Sequence, residues 1–256
     1  MASPIGRRTL FSAGALGAVA LAGCASTSVA ATSAATSATA VTDGLPNTAP
    51  NAIADAFAAQ RVVPVLRDAT ADSALRTAHA WITAGCTVIE LTTSTPDVFS
   101  AARTLVKEGI TVGIGTMRNR EHVAMAADAG ASFVLSFATF PALIEEAAAR
   151  GITPIPGTAT PTEVYASLAA PLIKVFPAAT LGIPYLEALL TVYPGIRTTV
   201  TGGITDDPAD AIAWLTAGAT AVGPAGSLLG TVDDLGQSAL ESRIRAYLTA
   251  VQSAQL

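Results

Sequence analysis

The sequence predicts an α/β fold, a single-domain (β/α)8 TIM barrel, and three observations predict it. Beyond residue 60, eight short apolar runs alternate with Ala- and Leu-rich stretches, and strands that alternate with helices indicate a parallel sheet. Glycines stand just before several of these runs, where the end of a helix needs a positive φ. Residues 51–256 also have the length of one barrel domain. Eight repeated units therefore favour a closed barrel.

The predicted elements follow one another as repeated strand and helix units. The strands are predicted over residues 62–66, 87–91, 110–114, 132–136, 153–155, 172–176, 198–201 and 220–223. The glycines before strands are Gly85, Gly109, Gly130, Gly151 and Gly218, and the prolines near predicted helix starts are Pro96, Pro141, Pro161 and Pro208. A doubly wound open sheet is the alternative, but it would not need eight units, and the chain lacks its GxGxxG fingerprint.

Two helices are predicted by the spacing of their apolar residues. Over residues 71–85, one face carries the apolar side chains that a helix packs against a core. That face consists of Ala74, Leu75, Ala78 and Ile82. Residues 235–254 are predicted to form a last amphipathic helix that closes the domain.

The first residues have the features of an export signal. Arg7 and Arg8 precede an uncharged apolar stretch over residues 10–23, which is shorter than the roughly 20 residues that a membrane-spanning helix needs. Residues 1–24 are therefore predicted to be a secretory signal peptide of the twin-arginine type. The stretch ends in the sequence LAGC, which resembles a bacterial lipobox and predicts lipidation of Cys24.

Residues 25–50 are nearly all Ala, Ser and Thr, a composition that predicts a flexible linker rather than a packed core. If the signal is used, the protein is predicted to be an exported cell-surface lipoprotein, with a membrane tether through the Cys24 lipid. Otherwise it is predicted to be cytoplasmic. A wrongly placed start codon is the alternative explanation, with a non-Met start near Val41 or Val62.

Composition excludes several classes of partner. Charged residues make up 13% of the chain and the formal net charge is −5, so the sequence has no basic footprint for nucleic acid. The two histidines have no Cys or His at ligand spacing, so neither a metal site nor a cofactor is predicted. Cys86 enters an apolar run and is predicted to be a buried free thiol.

Lys174 stands in a place where a charge is costly. The chain has two lysines, and Lys107 lies at a predicted helix end that suits a surface cation. Lys174 lies in the apolar run PLIKVFP, on a strand whose two faces point to the barrel interior and to the helices. Burial disfavours an ammonium form, and a neutral amine is a nucleophile for ketones. A lysine that extends past the strand end to water remains the alternative.

Glu90 is a second polar residue in an apolar run, near the carboxyl end of the second predicted strand. Barrels build their active sites at that end of their strands. A carboxyl group close to Lys174 could relay protons during catalysis. A purely structural ion pair between the two side chains is the alternative reading.

Glycine-rich turns follow the last two predicted strands. The first is TGGI at residues 201–204, and the second is GPAGS at residues 223–227. Barrels often bind phosphate with these two loops, because glycines let backbone N–H groups approach the anion. A third glycine-rich turn, GIGT, follows the third strand at residues 113–116.

With these motifs, the chain resembles the 2-keto-3-deoxy-6-phosphogluconate (KDPG) / 4-hydroxy-2-oxoglutarate (KHG) aldolase family over roughly residues 55–230. The motifs that carry the resemblance are VVPVLR (62–67), IELT (89–92), GIGT (113–116), IPG (155–157), IKVFP (173–177) and TGGI (201–204). The resemblance implies a class I, Schiff-base aldolase that cleaves a 2-keto-3-deoxy (6-phospho) sugar acid or 4-hydroxy-2-oxoglutarate. The products would be pyruvate and an aldehyde. It also implies a homotrimer that binds a small-molecule keto acid and uses no metal.

The resemblance also implies roles for individual residues. Lys174 would be the Schiff-base lysine and Glu90 the general acid/base, while Thr116 and Phe176 would line the pyruvate pocket. The complete set of predicted substrate-binding residues is Arg67, Thr92, Ser94, Thr116, Phe137, Phe176, Thr201, Gly202, Gly203, Gly226 and Ser227. Of these, Thr201, Gly202, Gly203 and Ser227 would hold the phosphate.

The chain departs from the family pattern at several positions. Ser94 stands where many members carry an arginine for the substrate carboxylate, a charge that Arg67 could supply. Phe137 replaces a usual proline, Ala179 replaces a frequent glutamate, and the loop that carries Ser227 is one residue longer. These departures leave the exact substrate open.

Two other functions also remain open. The first is an exported pyruvate- or sugar-acid-binding barrel that has lost turnover. The second is another phosphate-binding barrel enzyme, an isomerase or synthase, which would not need Lys174.

Overall fold

The computed structural model describes residues 47–255 as a ring of parallel strands surrounded by helices. The strands are β1 (Val65–Leu66), β2 (Val88–Thr92), β3 (Thr111–Met117), β4 (Phe133–Ser136), β5 (Thr153–Ile155), β6 (Gly157–Thr158), β7 (Ile173–Val175), β8 (Thr198–Thr201) and β9 (Ala221–Gly223). The helices are α1 (Ala52–Gln60), α2 (Ala71–Thr83), α3 (Val98–Lys107), α4 (Arg120–Asp128), α5 (Pro141–Ala149), α6 (Pro161–Ala166), α7 (Ala178–Leu181), α8 (Ile183–Val192), α9 (Pro208–Thr216), α10 (Val232–Leu235) and α11 (Gln237–Ser253).

The strands close into one barrel. β1 to β5 are consecutive neighbours in one hydrogen-bonded ladder, β6 to β9 in another, and every pairing is parallel. Pro156 alone separates β5 from β6, so these two segments are halves of a single barrel strand. On the other side, Val62 pairs with Val222 and Val65 pairs with Ala225, which places β9 beside β1. The predicted (β/α)8 TIM barrel is therefore confirmed.

The predicted punctuation of the chain agrees with the observed elements. Each of the five predicted glycines has a positive φ after a helix, between 69° at Gly151 and 122° at Gly85. The last helix, predicted over residues 235–254, is observed as α11 (Gln237–Ser253). It begins two residues later than predicted because Gly236, with a φ of 76°, separates it from α10.

The barrel interior is filled at its amino-terminal end by apolar side chains. The cluster consists of Ala54, Phe57, Val63, Val88, Phe133, Leu135, Ile155, Leu172 and Ala221. Phe57 reaches it from α1 and packs edge-on against Phe133, with ring centroids 5.1 Å apart. Gln60 closes the same end, since its amide donates to the carbonyls of Val62 and Val88. The amino-terminal end of the barrel is thereby closed, and the two buried charged groups, Lys174 and Glu90, lie beyond this apolar cluster.

A second apolar layer lies between strands and helices. In α2, Ala74 and Ala78 are fully buried as predicted, whereas Leu75 and Ile82 are only partly buried at the edge of the core. Trp81 is the largest buried side chain of this helix and packs in the same core as Ala74 and Ala78. Cys86 is a buried free thiol, as predicted, and burial raises its pKa to about 12.

The predicted signal peptide over residues 1–24, the lipidation site Cys24 and most of the linker over residues 25–50 lie outside the described residues, so their boundaries stay predictions. The described end of that linker lies against the barrel, where Asn47 donates from its backbone to Leu168 O (2.8 Å) and from its side chain to Ala169 O (2.9 Å). Over residues 47–255, no helix is long and apolar enough to cross a membrane.

Candidate active site

Lys174 lies inside the barrel, in the middle of β7. It is 5% exposed, and its Cα pairs in register with Gly157 on one side and Thr199 on the other. Its Nζ atom lies 5.7 Å from the centroid of the Phe176 ring, on the same face of the strand. The side chain therefore does not extend past the strand end to water.

Glu90 faces Lys174 across the interior. The carboxyl is 2% exposed, and its Oε1 atom lies 3.6 Å from Lys174 Nζ. That distance is within ion-pair range but beyond a hydrogen bond, and Oε1 has no hydrogen-bond partner among the described residues. Burial raises the pKa of Glu90, and the positive charges of Lys174 and Arg67 only partly oppose this effect. A buried carboxyl with a raised pKa and a free oxygen is suited to carry a proton.

Gly115 gives Glu90 the room it occupies. A Cβ atom at position 115 would lie 1.7 Å from Glu90 Oε1, so any other residue would displace the carboxyl. Gly157 allows a similar approach, because a Cβ there would lie 2.5 Å from the backbone carbon of Phe137. The sequence predicts GIGT to be a turn after the third strand, whereas it lies within β3, and it predicts no individual role for Gly115 or Gly157. A glycine inside a strand is the signal that could have identified them, since it marks a close approach.

Arg67 lies at the mouth of the barrel, just after β1, and is held by hydroxyl groups from β3 and from the loop that follows β2. Its Nη2 atom donates to Thr116 Oγ1 at 3.1 Å, and its Nη1 atom donates to Ser94 Oγ. Ser94 Oγ also shares a hydrogen bond of 2.9 Å with Thr92 Oγ1. Four predicted substrate-binding residues therefore form one connected group.

The two glycine-rich turns meet at one cavity of about 230 Å³. Its lining residues are Val65, Arg67, Thr201, Gly202, Gly203, Ile204, Gly223, Ala225, Gly226 and Ser227. Gly202 and Gly203 have φ values of 98° and 86°, and a Cβ at Gly203 would lie 2.4 Å from Ala179 Cβ. Trp81 holds the second turn by donating from Nε1 to Gly226 O at 3.0 Å. All four predicted phosphate-binding residues line this cavity, together with Gly226 and Arg67.

Phe137 is the predicted residue whose side chain stands apart from this group. Its ring is 38% exposed on the rim of the barrel. It packs edge-on against Phe140, with centroids 5.4 Å apart, and Arg118 lies 5.8 Å above it. Only its backbone reaches inward, against Gly157, which is the register partner of Lys174.

The carboxyl-terminal end of the barrel thus combines three chemical features: a buried amine, a buried carboxyl with a raised pKa, and an arginine beside a glycine-lined cavity that suits an anion. Among residues 47–255, no group of three or more His, Cys, Asp or Glu side chains could hold a metal ion.

Comparison with known proteins identifies the family. The family model for KDPG and KHG aldolase matches residues 53–245. The chain belongs to this family. It is therefore an aldolase, a lyase that takes part in carbohydrate metabolism.

The chain is similar to individual aldolases over most of their length. The chain is 34% identical over 151 residues to a probable 2-dehydro-3-deoxy-6-phosphogalactonate aldolase of Rhizobium meliloti, covering 57% of this chain and 71% of that protein. It is 29% identical to the 2-dehydro-3-deoxy-6-phosphogalactonate aldolase of Escherichia coli, covering 75% of this chain and 96% of that protein.

A solved structure shows the same likeness. It is the KDPG aldolase of Legionella pneumophila with pyruvate captured as a covalent carbinolamine intermediate. That structure superimposes with a TM-score of 0.67 at 26% identity, covering 76% of this chain and 97% of that one.

Proposed function

We propose that this aldolase acts through a Schiff base on Lys174 and cleaves a 2-keto-3-deoxy (6-phospho) sugar acid or 4-hydroxy-2-oxoglutarate to pyruvate and an aldehyde. One observation carries the proposal: Lys174 Nζ and Glu90 Oε1 lie 3.6 Å apart, and both side chains are buried inside the barrel. The pyruvate carbinolamine named for the Legionella pneumophila relative supports it, because a carbinolamine forms when an amine adds to a ketone.

In this mechanism, Lys174 attacks the C2 ketone as a neutral amine. Glu90 donates a proton to the former ketone oxygen, which leaves the carbinolamine as water and gives the protonated imine. The Glu90 carboxylate then accepts the proton of the C4 hydroxyl. The C3–C4 bond breaks, its electrons flow into the imine, and the aldehyde leaves behind an enamine. Glu90, or a water that it orients, protonates C3, and hydrolysis frees pyruvate and the amine.

Two anion-binding features would position the substrate. Arg67 would bind the carboxylate, since a guanidinium binds such a group through two hydrogen bonds and Arg67 lies close enough to act on the charge of Glu90. The glycine-lined cavity would bind the phosphate. The phosphorylated sugar acids in the names of the two aligned relatives support this assignment.

The test uses the two lysines of the chain as a matched pair. Pyruvate release is measured with a lactate dehydrogenase coupled assay, over phosphorylated and unphosphorylated 2-keto-3-deoxy acids and 4-hydroxy-2-oxoglutarate. We expect Lys174→Met to abolish turnover and Lys107→Met to leave it unchanged, because Lys107 is exposed at the end of α3.

The other outcomes point to the alternatives. Full activity in Lys174→Met would contradict the proposal and favour an isomerase or synthase. Pyruvate binding without cleavage of any substrate in the panel would favour a binding barrel that has lost turnover.

We further propose that the protein is exported, tethered by a lipid on Cys24, and assembled as a homotrimer. The chain's own signal-like residues support export, and the family resemblance supports the trimer. Membrane fractionation of the full chain against a Cys24→Ser variant tests the tether. The molar mass in solution tests the assembly, and a monomer would contradict it.

A further inference from the structure

An irregularity in β3 lies directly at the active site. Ile114 pairs with Val134 and Met117 pairs with Ser136, so three steps along β3 correspond to two along β4. The extra residue makes a β-bulge at Gly115 and Thr116. Bulges change the direction of a side chain and are frequent next to active sites. This bulge places Gly115 beneath the Glu90 carboxyl and turns Thr116 towards Arg67.

Thr116 has a backbone conformation that is unfavourable for its residue type. Its φ is +62°, in the left-handed region, and its side chain is β-branched. Such residues are outliers that persist only where the surrounding structure imposes them, and they cluster at functional sites. Thr93 Oγ1 helps to hold this conformation by donating to Thr116 O at 2.9 Å.

The strained residue contacts a charged group of the proposed site. Thr116 Oγ1 accepts a hydrogen bond of 3.1 Å from Arg67 Nη2, while Ser94 Oγ accepts one from Nη1. Both terminal nitrogens of the guanidinium are therefore fixed, although the arginine itself is exposed. A guanidinium fixed before a ligand arrives loses little side-chain entropy when it binds a carboxylate.

We propose that Thr116 and Ser94 are positioning residues, which orient Arg67 for the carboxylate of the keto acid, and that the bulge accepts backbone strain to do so. This proposal rests on the proposed function, because it assigns that carboxylate to Arg67. It makes the hydroxyl of residue 116 important for anion selectivity and its Cβ a cost to stability.

The main test is Thr116→Gly, which removes the hydroxyl and relieves the left-handed strain. We expect a melting temperature that is unchanged or about 2–4 °C higher, together with pyruvate binding about tenfold to hundredfold weaker, as for the loss of a hydrogen bond to a charged group. Binding of pyruvamide, which lacks the negative charge, should barely change. Pyruvate binding is measured as the concentration dependence of borohydride trapping.

Two control variants separate strain from orientation. Asp97→Gly relieves a second left-handed residue, with a φ of 55° and no capping hydrogen bond, so it should leave the pyruvate-to-pyruvamide ratio unchanged. Thr116→Ser keeps the hydroxyl and should retain the ratio of the wild type. A merely structural role for Thr116 predicts a lower melting temperature in Thr116→Gly and an unchanged ratio, and that result would overturn the proposal.

A double-mutant cycle with Arg67→Met tests whether Thr116 acts through the arginine. We expect Thr116→Gly to have no further effect on pyruvate binding once Arg67 is removed. An equal effect in both backgrounds would overturn the proposal. If the wild type itself cannot be trapped with pyruvate, the proposed function fails, which is a different outcome from trapping with unchanged selectivity.

Discussion

Lys174 and Glu90 are the only buried Asp, Glu, Lys or Arg side chains among the described residues, and each lowers the cost of burying the other. At 3.6 Å, a positive and a negative group offset part of the free-energy cost of removing both from water. The compensation is incomplete, because Glu90 Oε1 has no hydrogen-bond partner in the described part of the chain and burial still raises its pKa. Groups with perturbed pKa values cluster at functional sites, which supports the proposed catalytic role of this pair.

The raised pKa of Glu90 predicts a pH dependence of stability. Above its ordinary value of 4.5, the unfolded chain releases the proton while the folded protein still holds it. The free energy of unfolding contributed by this group therefore falls as the pH rises from 4.5 through the folded-state pKa. Glu90→Gln keeps the shape and removes the titration. We expect the melting temperature of the variant, minus that of the wild type, to increase over this range.

Thermal melts at a series of pH values measure this difference. Glu187→Gln, at an exposed position of α8, serves as the control and should show a constant difference. A difference for Glu90→Gln that is constant or that decreases with pH would show that burial does not raise the pKa of the Glu90 carboxyl.

Among the elements, β3 contributes to both the core and the active site without supplying a titratable group. Gly113 faces the apolar end of the barrel, where a Cβ would lie 1.9 Å from the Phe133 ring. Gly115 faces the other end, where the obstacle is the Glu90 carboxyl. Gly113 and Gly115 lie on the same face of β3, because alternate residues of a strand share one face. Gly113 makes room for core packing, whereas Gly115 makes room for the Glu90 carboxyl.

This separation predicts different consequences for two similar substitutions. Gly115→Ala pushes the Glu90 carboxyl away from Lys174, so we expect turnover to fall about 10²- to 10⁴-fold, the usual contribution of a general acid or base. Gly113→Ala overpacks the core, so we expect the free energy of unfolding to fall by about 1–3 kcal/mol, with turnover retained in the folded fraction. Steady-state kinetics and urea unfolding of both variants measure these effects, and full turnover in Gly115→Ala would contradict the geometry.

At the scale of the whole molecule, the barrel could be predicted from the sequence because each strand and helix is signalled by residues that are close together in the chain. Strand runs and glycine punctuation each depend on a few neighbouring residues. Lys174 and Glu90 could be identified because each is a polar residue in an apolar run. The bulge at Thr116 could not be predicted, since it depends on how β3 pairs with a strand that begins at Phe133.

Contacts between distant segments account for the other features that the sequence did not reveal. Arg67 is fixed by hydroxyls from β3 and from the loop after β2, so its position depends on the pairing of β1, β2 and β3. The closing of the barrel end by α1 depends on the meeting of Phe57 and Phe133, which lie far apart in sequence. The chain therefore has to complete the ring before the site exists.

The proposed mechanism requires Lys174 to form an imine with a keto acid inside this ring. The most direct measurement is borohydride reduction of the full chain in the presence of pyruvate, followed by mass spectrometry of its peptides. We expect a stable pyruvate adduct on the peptide that contains Lys174, no adduct on the peptide that contains Lys107, and loss of the adduct in Lys174→Met. A wild-type protein without an adduct on Lys174, at pyruvate concentrations that saturate binding, would contradict it.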